Sequence, residues 1–314
     1  MIQLQYMAPW VPVFSTAQEA ELAAKDYMPP FTVFLFATVD ENGFPRNRTL
    51  AYRGYLFENK TNNVLTFTTD KRADKYHELM QNDKFEAVFY FERTRKQFRF
   101  RGKARIIDDK HTPKFDLTTI QPEHVMQENI RSSANSSDDD SDSSHDDDSL
   151  EMFVSSKTSL GAASTENKTY GSPQDAPLNF PIISPKLLEQ IQQESSSFSI
   201  SFTNLHELTV TEFCPPTRAE WDAEVTRIWK TLSKQLKLAF RGPDPMLLMD
   251  DEKHNLIDKI SRGVDGKKED SGMKNFAVVA MFIYYVDYYD MEKSRRCIYQ
   301  KDENHLWSEH EVCP

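Results

Sequence analysis

Between Arg46 and Arg105 the chain reads R-N-R-T-L-A-Y-R-G-Y (46–55), V-L-T-F-T-T-D-K-R-A-D-K (64–75), E-A-V-F-Y-F (86–91) and R-K-Q-F-R-F-R-G-K-A-R (95–105). Apolar and polar residues alternate over short runs, as strands with one buried face require. Arginine, lysine, threonine and glutamine recur at intervals on those strands. That layout suits a β-barrel wall cradling a phosphorylated, planar ligand.

The runs on either side extend the pattern. Phe31 to Asp40 is rich in β-formers, and Asn42-Gly43 after it is a hairpin signal leading to a strand over Pro45–Phe57. Val64–Thr69, Phe85–Glu92 and Gln97–Ile107 read as further strands. Ala73–Asn82 fits a helix with Tyr76, Leu79 and Met80 on one face. Ser15 with Gln18 three residues on forms a capping box, which predicts a helix from Ser15 to about Met28, ended by Pro29-Pro30.

From about Arg131 to Pro177 the chain is Ser, Asp, Asn, Gly and Thr with few large apolar residues. Such a segment cannot bury enough surface to offset its ordering entropy, so it reads as disordered. The strands before and after it look like halves of one sheet. The organisation expected is therefore one domain, residues 1–130 and 179–314, carrying an insertion at 131–178. Beyond the insertion, Pro185 opens a helix, and Phe198–Phe202 and Leu208–Phe213 read as strands. A long helix starts near Thr217 with Trp221, Val225, Ile228, Trp229, Leu232 and Leu236 on one face. Asp250–Ile260 is a shorter helix. Phe276–Asp287, Arg296–Gln300 and His305–Val312 are closing strands. The class is α+β, mainly antiparallel β.

Composition narrows the function. The formal charge is −11, and Asp138, Asp139, Asp140, Asp142, Asp146, Asp147 and Asp148 account for more than half of it. No basic excess exists to neutralise a nucleic-acid backbone. The 3 cysteines show no C-x-x-C spacing, which fits a reducing compartment, cytoplasmic or nuclear. The start M-I-Q-L-Q-Y-M-A-P-W lacks a signal-peptide pattern, and the apolar run Phe276–Val286 is too short to span a bilayer, so no membrane partner is expected. The 8 histidines form no paired ligand spacing, and no metal is expected. Serines of Ser136–Ser144 followed by acidic residues at +3 suit an acidophilic kinase; a solvated spacer is the alternative.

Arg48, Arg53, Arg72 and Lys75 are the candidate phosphate ligands, because cations on strands and at a helix start are what a phosphate needs. Arg48 and Arg53 differ by five on one strand, so they point to opposite faces unless a bulge or a subunit boundary intervenes. The alternative is that these are ordinary snorkelling cations.

The runs R-x-L-x-x-R-G from Arg48, F-T-T-D-x-R-x-x-K from Phe67 and R-x-Q-F-R-x-x-G from Arg95 resemble the pyridoxamine 5'-phosphate oxidase-like, FMN-binding split-barrel family. Ala8-Pro9-Trp10 and V-D-Y-x-x-x-E-x-S-R-R-x-x-Y from Val286, followed by Trp307 and Pro314, are similar to a subgroup of it. The resemblance implies a six-stranded, Greek-key-like split barrel with peripheral helices, a homodimer, and FMN at the subunit interface. It implies that Arg48, with Thr49 and Leu50 beside it, and Lys75 hold the flavin phosphate. Thr68 and Thr69 would lie near ring and phosphate, Gln97 at the isoalloxazine edge from across the dimer, and Arg296 as a late contact. Arg72 is placed to help.

The pattern also departs from the family. Ala73-Asp74 stands where a Ser-Arg pair precedes the phosphate lysine. Glu292 and Ser294 align with the substrate Arg-x-His pair, Val286 falls near the late tryptophan, and no Tyr, Arg and Ser set for the substrate phosphate follows His111. The expectation is FMN and an unidentified small-molecule substrate, in an oxidoreductase or a non-catalytic flavin binder. Asp74 is the best argument for a barrel without flavin.

Overall fold

The computed structural model describes residues 7–23, 31–116, 171–190, 214–303 and 305–314. Its core is a barrel of antiparallel strands: β1 (Val33–Val39), β2 (Pro45–Tyr55), β3 (Val64–Asp70), β4 (Lys84–Phe91), β5 (Lys96–Ile107) and β6 (Phe276–Asp290), in the order β3-β2-β1-β4-β5-β6. Pairing of β3 with β6 closes it. Strand β6 is the hinge of the architecture. One edge pairs with β5 along its length, while on the other edge Phe276–Phe282 pair with β3 and Tyr285–Asp290 pair with β7 (Arg295–Lys301). β8 (Trp307–Val312) then extends the sheet beyond β7. The barrel is thus split where β6 changes partner.

That change falls at a bulge. The β5–β6 register shifts between Arg101 and Gly102, leaving Tyr284 as the extra residue. A Cβ on Gly102 would sit 1.9 Å from the Phe282 carbonyl oxygen, so only glycine permits the close approach.

Inside the barrel, Phe34, Phe36, Phe67, Phe89, Phe98 and Phe100 are buried. Helix α1 (Trp10–Ala23) closes one end by inserting Phe14, whose ring centroid lies 5.0–6.0 Å from those of Phe89, Phe91, Phe98, Phe100 and Tyr52. Here the capping box at Ser15 is not used. The helix begins five residues earlier, because Trp10, Val11 and Phe14 are buried, and burial of each large apolar side chain contributes ~1.5–3 kcal/mol. Ser15 instead lies 3.1 Å from the Tyr55 hydroxyl, mid-helix and buried. Helix α2 (Asp74–Gln81) covers the opposite end with Tyr76 and Leu79.

A second core lies outside β3 and β6. Helix α3 (Arg218–Thr231) packs Trp221, Val225, Ile228 and Trp229 over Val278, Ala280 and Phe282. Thr217 caps it reciprocally with Glu220, as the sequence pattern requires. Leu236 does not continue that helix. Ser233 caps a separate short helix, α4 (Lys234–Ala239), and α5 (Asp251–Arg262) follows.

Residues 171–178, read as the end of the insertion, are folded. The Gln174 side chain is buried, accepts from Ile106 N at 2.8 Å and donates to Leu79 O at 2.8 Å. The rest of the insertion, its serine/aspartate run, the strands expected at 198–202 and 208–213, and the end expected for the first helix lie outside the described residues.

Candidate functional site

The turn from β3 into α2 builds a cationic corner. Ala73 is the N-cap of α2 and gives no side-chain cap, so the first-turn N–H groups face an uncapped end, which favours an anion. Lys75 sits in that first turn, half-buried, with no hydrogen bond or ion pair among the described residues. Burial first, and then the charge of Arg48, lowers its pKa below the usual lysine value; Asp70, Asp74 and Glu78 oppose that shift. A half-buried ammonium without a partner has unfilled hydrogen-bonding capacity.

Arg48 lies at the same end of the barrel, on the inward row of β2 with Leu50 and Tyr52. Its guanidinium donates to the buried Glu78 carboxylate at 2.7 Å, to the Thr38 hydroxyl, and to Arg46 O at 3.0 Å. Glu78 also accepts from Thr38. Nothing in the sequence marked Glu78; its burial follows from α2 covering the barrel end. Asp74 pairs with Arg46 at 3.2 Å, both side chains about half exposed. The unfavourable carboxylate beside a phosphate is thereby directed to another cation.

Arg72 is committed elsewhere. It binds Asp70 in bidentate fashion at 2.9 and 2.7 Å, and also reaches Asp244 at 2.9 Å and Gly242 O at 2.8 Å. These contacts, the Asp70 hydrogen bonds first, raise its pKa. It ties the β3–α2 turn to the loop after α4 and leaves little of its donor set for a ligand.

Arg53 does not join Arg48. The irregularity of β2 spans Arg53 and Gly54, and it is the flanking Tyr52 and Tyr55 that are buried in the barrel. Arg53 faces outward, its guanidinium 6.0 Å from the Phe31 ring centroid and its Nε buried without a partner. Thr49 is exposed on that outer face. Thr68 and Thr69 alternate on β3: Thr69 is buried and donates to Asp70 O at 3.2 Å, and Thr68 is half-buried.

The ring-edge candidates meet on a different part of the wall. Register places Gln97 opposite Tyr289 and Tyr289 opposite Arg296, so the three share one row across β5, β6 and β7. Gln97 is half-buried and its amide makes no hydrogen bond among the described residues. Arg296 is paired in bidentate fashion with Asp287 at 2.9 and 2.7 Å, which raises its pKa. Asp287 lies 3.6 Å from Arg99, Arg99 donates to Glu86 at 2.6 Å, and Glu86 accepts from Arg101 at 2.8 Å. The sequence displayed these arginines but not the acid at each joint. Glu292 and Ser294 are exposed in the turn between β6 and β7.

Between the two groups lies an apolar band. Val33 and Leu35 of β1 and Tyr90 of β4 are 42%, 43% and 49% exposed on the outer face. Among the described residues no group of three His, Cys, Asp or Glu could hold a metal, and no helix is long and apolar enough to cross a membrane.

Residues 7–108 match the family model described as pyridoxamine 5'-phosphate oxidase, FMN-binding domain. Along nearly its whole length the chain is 32% identical to the uncharacterized yeast protein YGR017W of Saccharomyces cerevisiae, covering 98% of this chain and 99% of that one. The chain belongs to the pyridoxamine 5'-phosphate oxidase-like, FMN-binding split-barrel family. A further relative, pyridoxine/pyridoxamine 5'-phosphate oxidase 2 of Arabidopsis thaliana, is 33% identical over 37% of this chain and 54% of its own. Among solved structures, a pyridoxamine 5'-phosphate oxidase-related, FMN binding protein from Nostoc punctiforme aligns with TM-score 0.53 at 18% identity, covering 98% of each chain. PhzG from Burkholderia lata, solved with tetrahydrophenazine-1-carboxylic acid, aligns with TM-score 0.51 at 10% identity over 100% of this chain and 97% of that one. At those identities the two structures show the split-barrel fold. The family resemblance drawn from the Arg48, Phe67 and Arg95 motifs is borne out, as is the closed six-stranded barrel.

Proposed function

We propose that this chain binds FMN between two copies of itself and acts as a flavin-dependent oxidoreductase on a small substrate other than pyridoxamine 5'-phosphate. The observation that carries the binding is the unpartnered Lys75 in the uncapped first turn of α2, with Arg48 next to it. The residues fit a phosphate: Lys75 and the first-turn N–H groups supply donors, and Asp74 is drawn off by Arg46. FMN, when bound, supplies one- and two-electron redox chemistry.

The homodimer is part of the same reading. Gln97 and Arg296 sit on the β5–β7 side of the wall, and the phosphate corner sits at β2, β3 and α2. An apolar band separates them on the outer face, of the kind that a partner covers. A second copy docked there would bring its Gln97 amide to the ring edge of the first. Gln97 would orient the ring and tune it through a hydrogen bond. The substrate lacks its usual partners, since Glu292 and Ser294 replace the cation and imidazole and project from a turn.

That replacement favours a second reading, a flavin binder without turnover. The test is an absorbance spectrum after FMN is added and free flavin removed, followed by reduction and steady turnover with oxygen and an amine or imine. Retained flavin with turnover supports the oxidoreductase; retained flavin without it supports the binder. A colourless protein refutes both. A cytoplasmic or nuclear location belongs to the proposal, tested by imaging the tagged full chain.

A further inference from the structure

Lys301 is the last residue of β7 and is 8% exposed. Its Nζ lies 3.6 Å from the Phe180 ring centroid and 5.9 Å from that of Tyr284. No carboxylate pairs with it and no hydrogen bond engages it among the described residues. Unpaired buried ammonium groups are costly, and cation–π contact replaces only part of the lost hydration.

A second unsatisfied group lies next to it. His305 follows in the β7–β8 turn, where Asp302 N donates to Leu306 O at 2.8 Å and His305 N donates to Asp302 O at 3.2 Å. His305 adopts φ +68°, a left-handed conformation that a non-glycine residue holds only when its surroundings impose it. Its Nε2 is buried with no partner. Tyr284, the bulged residue of β6, is half-buried and its hydroxyl makes no hydrogen bond among the described residues.

Burial lowers the Lys301 pKa to about 7, with Asp302 the one group opposing. Burial and the charge of Lys301 lower His305 to about 4. Burial raises Tyr284, with the neighbouring Arg105 and Asp83 pulling in opposite directions. Burial thus disfavours the charged amine, and the imidazole is neutral at neutral pH.

We propose that Lys301, His305 and Tyr284 form a binding site for a small oxyanion, a carboxylate or a phosphate monoester. The anion accepts from the Lys301 ammonium, the Tyr284 hydroxyl and the His305 Nε2–H. Phe180, itself buried, backs the Lys301 ammonium from the apolar side. The site is separate from the flavin corner, because β7 pairs with neither β2 nor β3. On β7 itself Lys301 is about 16 Å from Arg296 at strand rise, and on the opposite face.

The probes are inorganic phosphate and benzoate, titrated into the full chain, with the Lys301 amine followed by nitrogen-15 NMR. At least one probe binds, and in the complex the Lys301 pKa rises by about one unit or more. Lys301→Met and Tyr284→Phe each weaken that binding by about tenfold, as loss of a hydrogen bond to a charged group predicts. Lys75→Ala leaves it unchanged. Benzoate alone identifies a carboxylate, and phosphate alone a phosphate ester. No binding of either probe, equal binding by Lys301→Met and Tyr284→Phe, or loss of binding in Lys75→Ala would overturn the site. The last outcome would place the anion at the flavin corner instead. Tyr284→Phe removes a single oxygen, so it reports even if Lys301→Met fails to fold.

Discussion

Replacing Lys75 by alanine tests the phosphate corner most directly. In the folded protein the ammonium is half-buried and has no partner, so its removal breaks nothing that the unliganded protein uses. Apo stability should therefore stay within about 0.5 kcal/mol, the range of substitutions that disturb no interaction. With FMN bound, the same ammonium donates a charge-assisted hydrogen bond worth ~1.5–3 kcal/mol. Affinity should fall by roughly 10- to 150-fold, at 1.4 kcal/mol per decade. Arg48→Ala is a poorer probe, because it strands the buried Glu78 carboxylate and costs ~3–5 kcal/mol of stability before any ligand is considered. The pH dependence has a definite sign. Lys75 titrates below its unfolded value in the free protein, so between the two values the unfolded chain holds more protons and apo stability rises with pH. FMN needs the protonated form, so affinity falls as pH rises through that same window. Flavin fluorescence quenching and urea melts measure both quantities. Unchanged affinity in Lys75→Ala would refute the placement of the phosphate.

Arg72→Ala should cost ~2–3 kcal/mol in urea unfolding, since Asp70 loses a bidentate partner and the loop at Gly242–Asp244 loses its tie. Its effect on FMN affinity should be smaller than that of Lys75→Ala; the opposite ranking would return Arg72 to the phosphate. Gly102→Ala drives a methyl to 1.9 Å from a backbone oxygen and should cost about 3 kcal/mol or more. A loss under about 1 kcal/mol there would mean the bulge yields easily. Deleting residues 132–170 should leave melting temperature and flavin content intact, because their composition offers little apolar surface to bury; precipitation of the shortened chain contradicts that.

Most strands were legible because they alternate and end in recognisable turns, β6 because it is a short apolar run, and the spacing of Trp221, Val225, Ile228 and Trp229 declared the helix that Thr217 caps. Helix α1 was misplaced because a local capping signal at Ser15 competes with burial of Trp10 and Phe14, and burial wins. The double partnership of β6 is invisible in one strand's sequence, since neither Phe276–Phe282 nor Tyr285–Asp290 displays which strand it pairs with. For the site, residue types marked cations but not their partners. Arg48, Arg72 and Arg296 look alike in the chain. In the fold they are held by Glu78, by Asp70 with Asp244, and by Asp287. Asp70 is two residues from Arg72, but Glu78 comes from the helix over the barrel end, Asp244 from a loop distant in sequence and Asp287 from a neighbouring strand, and tertiary structure brings those three to the arginines.

On the proposed placement of the flavin, this difference in partnership decides where affinity resides. At the proposed ring edge the Arg296 charge is already offset by the bidentate Asp287, so a ligand there gains less net free energy than at an unpaired cation. Gln97 offers a neutral amide, about 1 kcal/mol at most. The corner is the reverse, since Lys75 and the first-turn N–H groups of α2 gain charge-assisted contacts that the free protein lacks. Two or more such contacts at ~1.5–3 kcal/mol each predict that riboflavin, which carries the ring without the phosphate, binds about 100-fold or more weakly than FMN. Parallel fluorescence titrations of the two flavins give the ratio. If riboflavin binds within tenfold of FMN, the ring carries the affinity, and the unpartnered Lys75 belongs to some other anion.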